Sequence, residues 1–384
     1  MTTTFRLQSR LPRVGTTIFT VMSKLATDLD AINLSQGFPD FDCDPALVEA
    51  VAKHMRDGRN QYAPMQGVAA LREAIATKYE LFHGRQYDPA TEVTVTSGGT
   101  EAIFDAIMCV AGPGDEAIVL EPCYDCYVPA IELSGATPVV VPLKLPDYAV
   151  DWDPVRAAIT PRTRVIVINT PHNPTGTIWT PHDIDKLKAV VKGTDILIVS
   201  DEVYEHIIFD NAQHESMARH PELAERSFII GSFGKTYHVT GWKVGYAVAP
   251  AALSAEFRKV HQFVTFSTST PVQYALGEMM AKPASLRGLG PFYQAKRDLF
   301  LRLMEGSRFR PLACRGSYFQ LMDYGAITDE NDADFAVRLT KEHGVASIPT
   351  SPFLYASPAP RVLRFCFAKT DETLERAAER LRRV

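Results

Sequence analysis

Short apolar strands alternate with longer helical segments from about residue 91 to Pro250, which predicts an α/β protein built on a mostly parallel sheet. Two further observations support that class. TRVIVINT (163–170) is an unbroken β-branched run, the pattern of a strand buried on both faces. After Pro250 the alternation stops, and long helical segments with two strand-like runs mark a second, smaller α+β unit. A chain of 384 residues suits about two domains and can bury a large core.

The elements follow in order. EVTVTS (92–97) reads as a strand, and GGTEAIFDAIMCVAG as a helix closed at Gly112. EAIVLE (116–121), TPVVVPL (137–143) and TRVIVINT are the next strands. PHDIDKLKAVVK (181–192) has helical spacing, with Thr180 as N-cap and Pro181 at the first position. DILIVSD (195–201), SFIIGSF (227–233) and KVGYAVA (243–249) complete the strands. AALSAEFRKVHQFVTFS and the stretch around FYQAKRDLFLRLMEG read as helices. GSYFQLMDY and VLRFCFA read as strands, and DETLERAAERLRRV as a closing helix. With no repeats or flexible linkers, the two units are expected to pack closely around a cleft.

A net charge of −5 argues against nucleic acid or an anionic membrane as the main partner. No apolar run is long enough to span a bilayer. The first 27 residues carry Arg6, Arg10, Arg13 and Lys24 and no acid, and read as a basic arm rather than a transit peptide. Six scattered cysteines in so long a chain read as reduced thiols in the cytoplasm. Cys123 and Cys126 form a C-x-x-C, but no second pair sits at metal-ligand spacing, and no metal site is expected.

Four stretches carry chemistry. SGGTEA (97–102) lies where a strand meets a helix; two glycines and a helix N-terminus suit a phosphate, and equally a plain tight turn. NTPHNPTG (169–176) is a stiff polar loop at a strand's carboxyl end, where ligands bind in open α/β sheets, although Asn-Pro turns also serve no ligand. Asp201 ends an apolar run, so its carboxylate needs a partner, either a cationic ring nitrogen or a helix N-terminus to cap. Tyr204 follows three residues on. Lys235, in SFGKT, is framed by a strand and a glycine-punctuated turn, and Lys243 follows between Gly241 and Gly245. A lysine amine becomes a nucleophile when desolvation or a nearby cation lowers its pKa. One cation for covalent chemistry, one for an anion, a phosphate cradle and an acid for a ring nitrogen together describe a pyridoxal 5′-phosphate site.

The ordered set SGGTEA, NPTG, SDEVYE, S-x-G-K-x5-GWKVGY and RFCFAK resembles the fold-type-I aminotransferases, from about residue 10 to the C-terminus. INLSQGFPDFD and NQYAPMQGVAALREAI place the resemblance in the kynurenine/glutamine aminotransferase group, close to its bacterial methionine-specific members. The resemblance implies a seven-stranded, mostly parallel sheet in a large domain (46–283), with 1–45 and 284–384 forming an arm and small domain. It implies that Lys235 forms the Schiff base and carries the proton, and that Asp201 keeps the ring nitrogen protonated. Asn173 and Tyr204 would bond the phenolic oxygen, and Tyr124 would stack on the ring. Gly99, Thr100, Ser232 and Lys243 would hold the phosphate, together with Tyr62 from a neighbouring subunit of a homodimer. Arg364 would clamp the substrate carboxylate. Gly37, Phe38, Tyr124 and Asn173 would line the substrate side, with further apolar contacts near Tyr318. The implied reaction is a ping-pong transfer of the amino group of methionine, or of aromatic amino acids, glutamine or kynurenine, to a 2-oxo acid. Kynurenine–oxoglutarate transamination or cysteine-conjugate β-elimination is the alternative. A transcriptional sensor needs an N-terminal DNA-binding domain for which residues 1–45 are too short, and a nicotinamide dehydrogenase needs a G-x-G-x-x-G that SGGTEA lacks.

Overall fold

A computed structural model describes residues 8–384, so the first seven residues of the basic N-terminal stretch lie outside it. A short strand β1 (Ile32–Asn33) precedes the main sheet. The main sheet comprises β2 (Val93–Thr96), β3 (Glu116–Glu121), β4 (Thr137–Pro142), β5 (Thr163–Asn169), β6 (Leu197–Asp201), β7 (Ser227–Ser232) and β8 (Gly245–Val248). These seven strands lie in the order β2-β8-β7-β6-β5-β3-β4. Only β8 runs antiparallel to its neighbours, so the sheet is mostly parallel, as the sequence predicts. The central strands β5, β6 and β7 are nearly all buried because helices cover both faces.

One face packs an apolar cluster that includes Val95, Ile118, Ile166, Ile198 and Ile229 beneath the helices Pro45–Arg56, Ala69–His83 and Pro181–Val191. The other face packs Val119, Val167, Val199 and Ile230 beneath the helices Gly99–Val110, Tyr127–Ser134 and Ala251–Val264. Thr180 and Asp183 form a reciprocal capping box at the start of Pro181–Val191, with Pro181 in the first turn.

The remaining strands are β9 (Arg310–Pro311), β10 (Phe319–Asp323), β11 (Val345–Ala346), β12 (Ile348–Pro349) and β13 (Val362–Cys366). The antiparallel sheet β12-β13-β10-β9 backs onto the helices Leu289–Leu303, Asp332–His343 and Asp371–Leu381. β1 pairs in parallel with β11, and Met22, Ile32 and Leu34 share the apolar cluster of the C-terminal elements. The basic stretch is more than an arm: Thr17 caps a helix over Ile18–Asp28. Strands generally stop a residue or two short of their sequence limits, as where β6 begins at Leu197 rather than at 195.

Candidate active site

Asn169 ends β5, Asp201 ends β6 and Ser232 ends β7, so three polar side chains leave the sheet along one edge. Asn169 and Asp201 are direct partners in the ladder. Above this edge lies a cavity of about 260 Å³. Its lining includes Gly37, Gly99, Thr100, Tyr124, Asn173, Asp201, Tyr204, Ser232, Lys235, Lys243 and Arg364. Strand ends supply the floor, and the smaller unit supplies the roof through Phe319 and Arg364.

Asp201 is buried, and that burial raises its pKa to about 6 against the opposing effects of hydrogen bonds and the Lys235 charge. The Tyr127 hydroxyl donates to its Oδ2 at 2.5 Å, and the Val203 amide to its Oδ1 at 3.3 Å. Asn169 Nδ2 donates to the Asp201 carbonyl at 2.8 Å, so the carboxyl stands on a fixed backbone.

Lys235 is partly buried, with Nζ donating to the Tyr318 hydroxyl at 3.0 Å and to the Gly37 carbonyl at 3.4 Å. The Tyr318 hydroxyl donates onward to that same carbonyl at 2.6 Å. Burial first, then the Arg364 and Lys243 charges, lower the Lys235 pKa to about 8. A substantial neutral fraction of this amine therefore exists near neutral pH.

Arg364 is buried on β13 and stacks 3.8 Å above the Phe319 ring. Its Nη1 donates to Asn173 Oδ1 at 2.7 Å and its Nη2 to the Ser35 carbonyl at 3.1 Å. Burial lowers its pKa to about 10, which leaves it a full cation at neutral pH. Its Nε is buried without a hydrogen-bond partner among the described residues. That donor calls for an acceptor oxygen.

The turn before the helix Gly99–Val110 explains its glycines. Gly98 has φ +83°, which favours glycine. A Cβ on Gly245 would stand 2.7 Å from the Gly98 carbonyl carbon and 2.8 Å from the Gly99 nitrogen. Lys243 Nζ lies 3.3 Å from the place a Gly98 Cβ would take, so a cation stands at a helix N-terminus. Gly37 is equally constrained, since a Cβ there would meet the Phe319 ring at 2.6 Å.

Two expected residues lie elsewhere. Tyr62 is 84% exposed, edge-on to Phe266 in an open depression with Ser267–Pro271. Phe38 stands beside the cavity rather than in its lining, with Lys369 Nζ 4.7 Å from its ring centroid and bonded to its carbonyl. Phe19 and Gln36 line the cavity without having been marked in the sequence, and Phe319 is the apolar contact next to Tyr318. Nor did sequence mark Tyr127, although its position in the helix after Tyr124 brings its hydroxyl to Asp201. Cys123 and Cys126 are unpaired thiols beside Tyr124, and burial pushes Cys126 well above the usual thiol range.

These residues fit pyridoxal 5′-phosphate. A buried carboxyl lies at the cavity floor, an amine of lowered pKa faces the same space, and a glycine turn with a cation can receive a phosphate.

Comparison with known proteins points the same way. The family model for class I and II aminotransferases matches residues 30–381. The methionine aminotransferase of Escherichia coli (strain K12) is 51% identical over 379 residues, covering 98% of both chains. The crystal structure of YbdL from Escherichia coli, described as identifying a methionine aminotransferase function, superposes with a TM-score of 0.97 at 50% identity. That match covers 99% of this chain and 100% of the other. The kynurenine–oxoglutarate transaminase 3 of Mus musculus is 33% identical over 406 residues, covering 98% of this chain and 89% of that protein.

Proposed function

The chain belongs to the class I and II aminotransferases, and from that premise we propose that it transfers the α-amino group of methionine to a 2-oxo acid with pyridoxal 5′-phosphate. The observation that carries this reading is the convergence of Lys235, Asp201, Asn173, Arg364 and the Gly98–Thr100 turn on one cavity. When bound, the cofactor supplies an aldehyde that takes up an amino group and a ring that accepts electron density from Cα.

The protein's part is binding, orientation and proton transfer. Arg364 offers a planar fork to the substrate α-carboxylate, held by Asn173 Oδ1 and the Phe319 face. Its spare Nε becomes satisfied when a carboxylate arrives. Lys235 would anchor the cofactor and, once freed, would carry the proton taken from the substrate Cα. Asp201 holds a proton at the ring nitrogen, with Tyr127 fixing its orientation. Asn173 and Tyr204 would bond the ring oxygen, and Tyr124 would pack on the ring. Gly99, Thr100, Ser232 and Lys243 hold the phosphate, and Gly37 closes the substrate side.

Phe19, Tyr124 and Phe319 favour an apolar or aromatic substrate side chain over a second carboxylate. Aromatic amino acids, glutamine and kynurenine are the alternative donors, in keeping with the kynurenine transaminase relatives. We assign the working unit as a homodimer in which Tyr62 reaches the partner's phosphate, since this residue is exposed and remote from its own cavity. We assign residues 46–283 to the cofactor-carrying domain and 1–45 with 284–384 to the smaller one, of which residues 1–7 lie outside the described residues. Six unpaired cysteines and no helix long and apolar enough to cross a membrane, among the described residues, support a cytoplasmic setting.

The test is spectroscopic. Purified protein should show visible absorbance from lysine-bound cofactor. Methionine alone should bleach it and raise a near-ultraviolet band, and a 2-oxo acid should restore it. Bleaching by kynurenine but not methionine would replace the substrate; absence of any band after adding the cofactor would remove the assignment.

A further inference from the structure

A buried cluster outside the cavity lies directly behind the anion-binding turn. Glu101 is in the first turn of the helix Gly99–Val110, and its Oε2 accepts from the Ser97 amide. Its Oε1 lies 2.7 Å from Nδ1 of His261, which comes from the helix Ala251–Val264. Asp105, one turn further along, is fully buried, with Oδ2 3.6 Å from the same Nδ1. Neither Asp105 oxygen has a hydrogen-bond partner among the described residues. On the other side of the ring, His261 Nε2 lies 3.0 Å from the Met65 carbonyl.

The protonation state follows from the partners. A carbonyl only accepts, so Nε2 carries a hydrogen. Nδ1 faces Glu101 Oε1 at 2.7 Å with Asp105 Oδ2 beyond it, and two carboxyls around one nitrogen favour a hydrogen there too. The titratable groups facing the ring are Glu101 and Asp105, both from one helix. Burial alone would lower the imidazole pKa, but the nearby Asp105 carboxylate and the contact with Glu101 carry it up to about 9. Burial raises Asp105 to about 6, while its pairing with His261 holds Glu101 below its usual value.

We propose that His261, held as an imidazolium between Glu101 and Asp105, is a positioning residue for the anion-binding turn. Through Glu101 it fixes the Ser97 amide, and with it the two glycines that receive the cofactor phosphate. Through Met65 it ties the same turn to segment 60–67, which carries Tyr62 and whose Gln66 carbonyl accepts from the Val95 amide. The inference rests on the pyridoxal phosphate reading and adds a requirement to it: the turn keeps its shape only while His261 is charged. Because the folded pKa is raised, the clamp is whole below pH 6.5 and is lost as pH rises through about 9.

The experiment measures the affinity of apoprotein for pyridoxal phosphate, and for inorganic phosphate as competitor, between pH 7 and 10. His261→Gln should weaken both about tenfold at pH 7.5, the loss expected for one charge-assisted hydrogen bond. Wild-type affinity should fall through about pH 9 relative to that variant. Glu101→Gln should match His261→Gln, and the double variant should lose no more, because both act through one contact. Asp105→Asn should move the midpoint of the pH dependence downward. Should His261→Gln fail to fold in a thermal melt, Glu101→Gln and Asp105→Asn carry the test. Wild-type affinity in His261→Gln, additive single losses, or a stoichiometric divalent metal in place of the Nδ1 proton would overturn the proposal. If wild-type protein binds no pyridoxal phosphate at any pH, the cofactor assignment itself fails; a bound cofactor indifferent to His261 sinks this inference alone.

Discussion

Lys235 carries the sharpest consequence of its surroundings. With a pKa near 8, its neutral fraction grows as pH rises through that value. The rate at which apoprotein takes up cofactor covalently should therefore rise between pH 7 and 9 with a midpoint near 8; a midpoint near that of free lysine would mean the amine is not desolvated. Lys235→Ala should lower turnover by about 10²–10⁴-fold or more, since it removes the proton carrier. Arg364→Lys should raise the KM for amino and oxo acid alike by roughly 10–100-fold, because an ammonium cannot reproduce the fork. At this scale much was legible. Lys235 and Asp201 sit in short motifs whose chemistry is local, whereas the roles of Asn173 and Arg364 came only through resemblance. Tyr127 was not legible because its partner Asp201 is 74 residues away and no sequence pattern links them. Phe38 misled because its neighbour Gly37 does line the cavity while its own ring turns to Lys369.

Among the elements, buried strands were the easiest to find, since runs such as VIVI in β5 leave no room for a helix face. The helix Ile18–Asp28 was hidden in a stretch rich in Thr and Ser, and it forms where Met22 and Ala26 can be buried against distant elements. The two-residue strands β1 and β11 exist only through each other, so neither had a signal of its own. One link between elements bears on the site. Lys78, from the helix Ala69–His83, lies 2.7 Å from both oxygens of Glu205 and 2.9 Å from the Tyr246 hydroxyl of β8. Glu205 is the residue after Tyr204, so this pair braces the turn that ends in the cavity. Glu205→Gln leaves a buried lysine uncompensated and should cost about 3–5 kcal/mol in denaturant unfolding. A loss within half a kcal/mol would show that water reaches the pair. Gly231→Ala should also destabilise, since its Cβ would fall 2.1 Å from the Tyr246 ring.

For the whole molecule, the separation of Tyr62 from its own cavity permits a test by mixing. Lys235→Ala and Tyr62→Ala are each expected to be impaired. If Tyr62 serves the partner, a hybrid dimer holds one doubly damaged site and one intact site. Random re-pairing should then recover about a quarter of wild-type activity, from half the dimers and half their sites. If Tyr62 serves its own chain, no intact site forms and nothing is recovered. The expectation of such an association came only through resemblance, because an exposed tyrosine carries no record of what covers it. The placement of Arg364 has a further consequence, for the order of events during synthesis. The Gly98–Thr100 turn, Asp201, Lys235 and Lys243 all leave the ribosome while the chain is still growing, and early segments fold first. Arg364 lies on β13, later in the chain than all of these residues, and emerges after them. On the proposed roles, the growing chain thus presents its own cofactor-facing residues before it has any grip on an amino acid, so a product truncated before β13 lacks the substrate clamp.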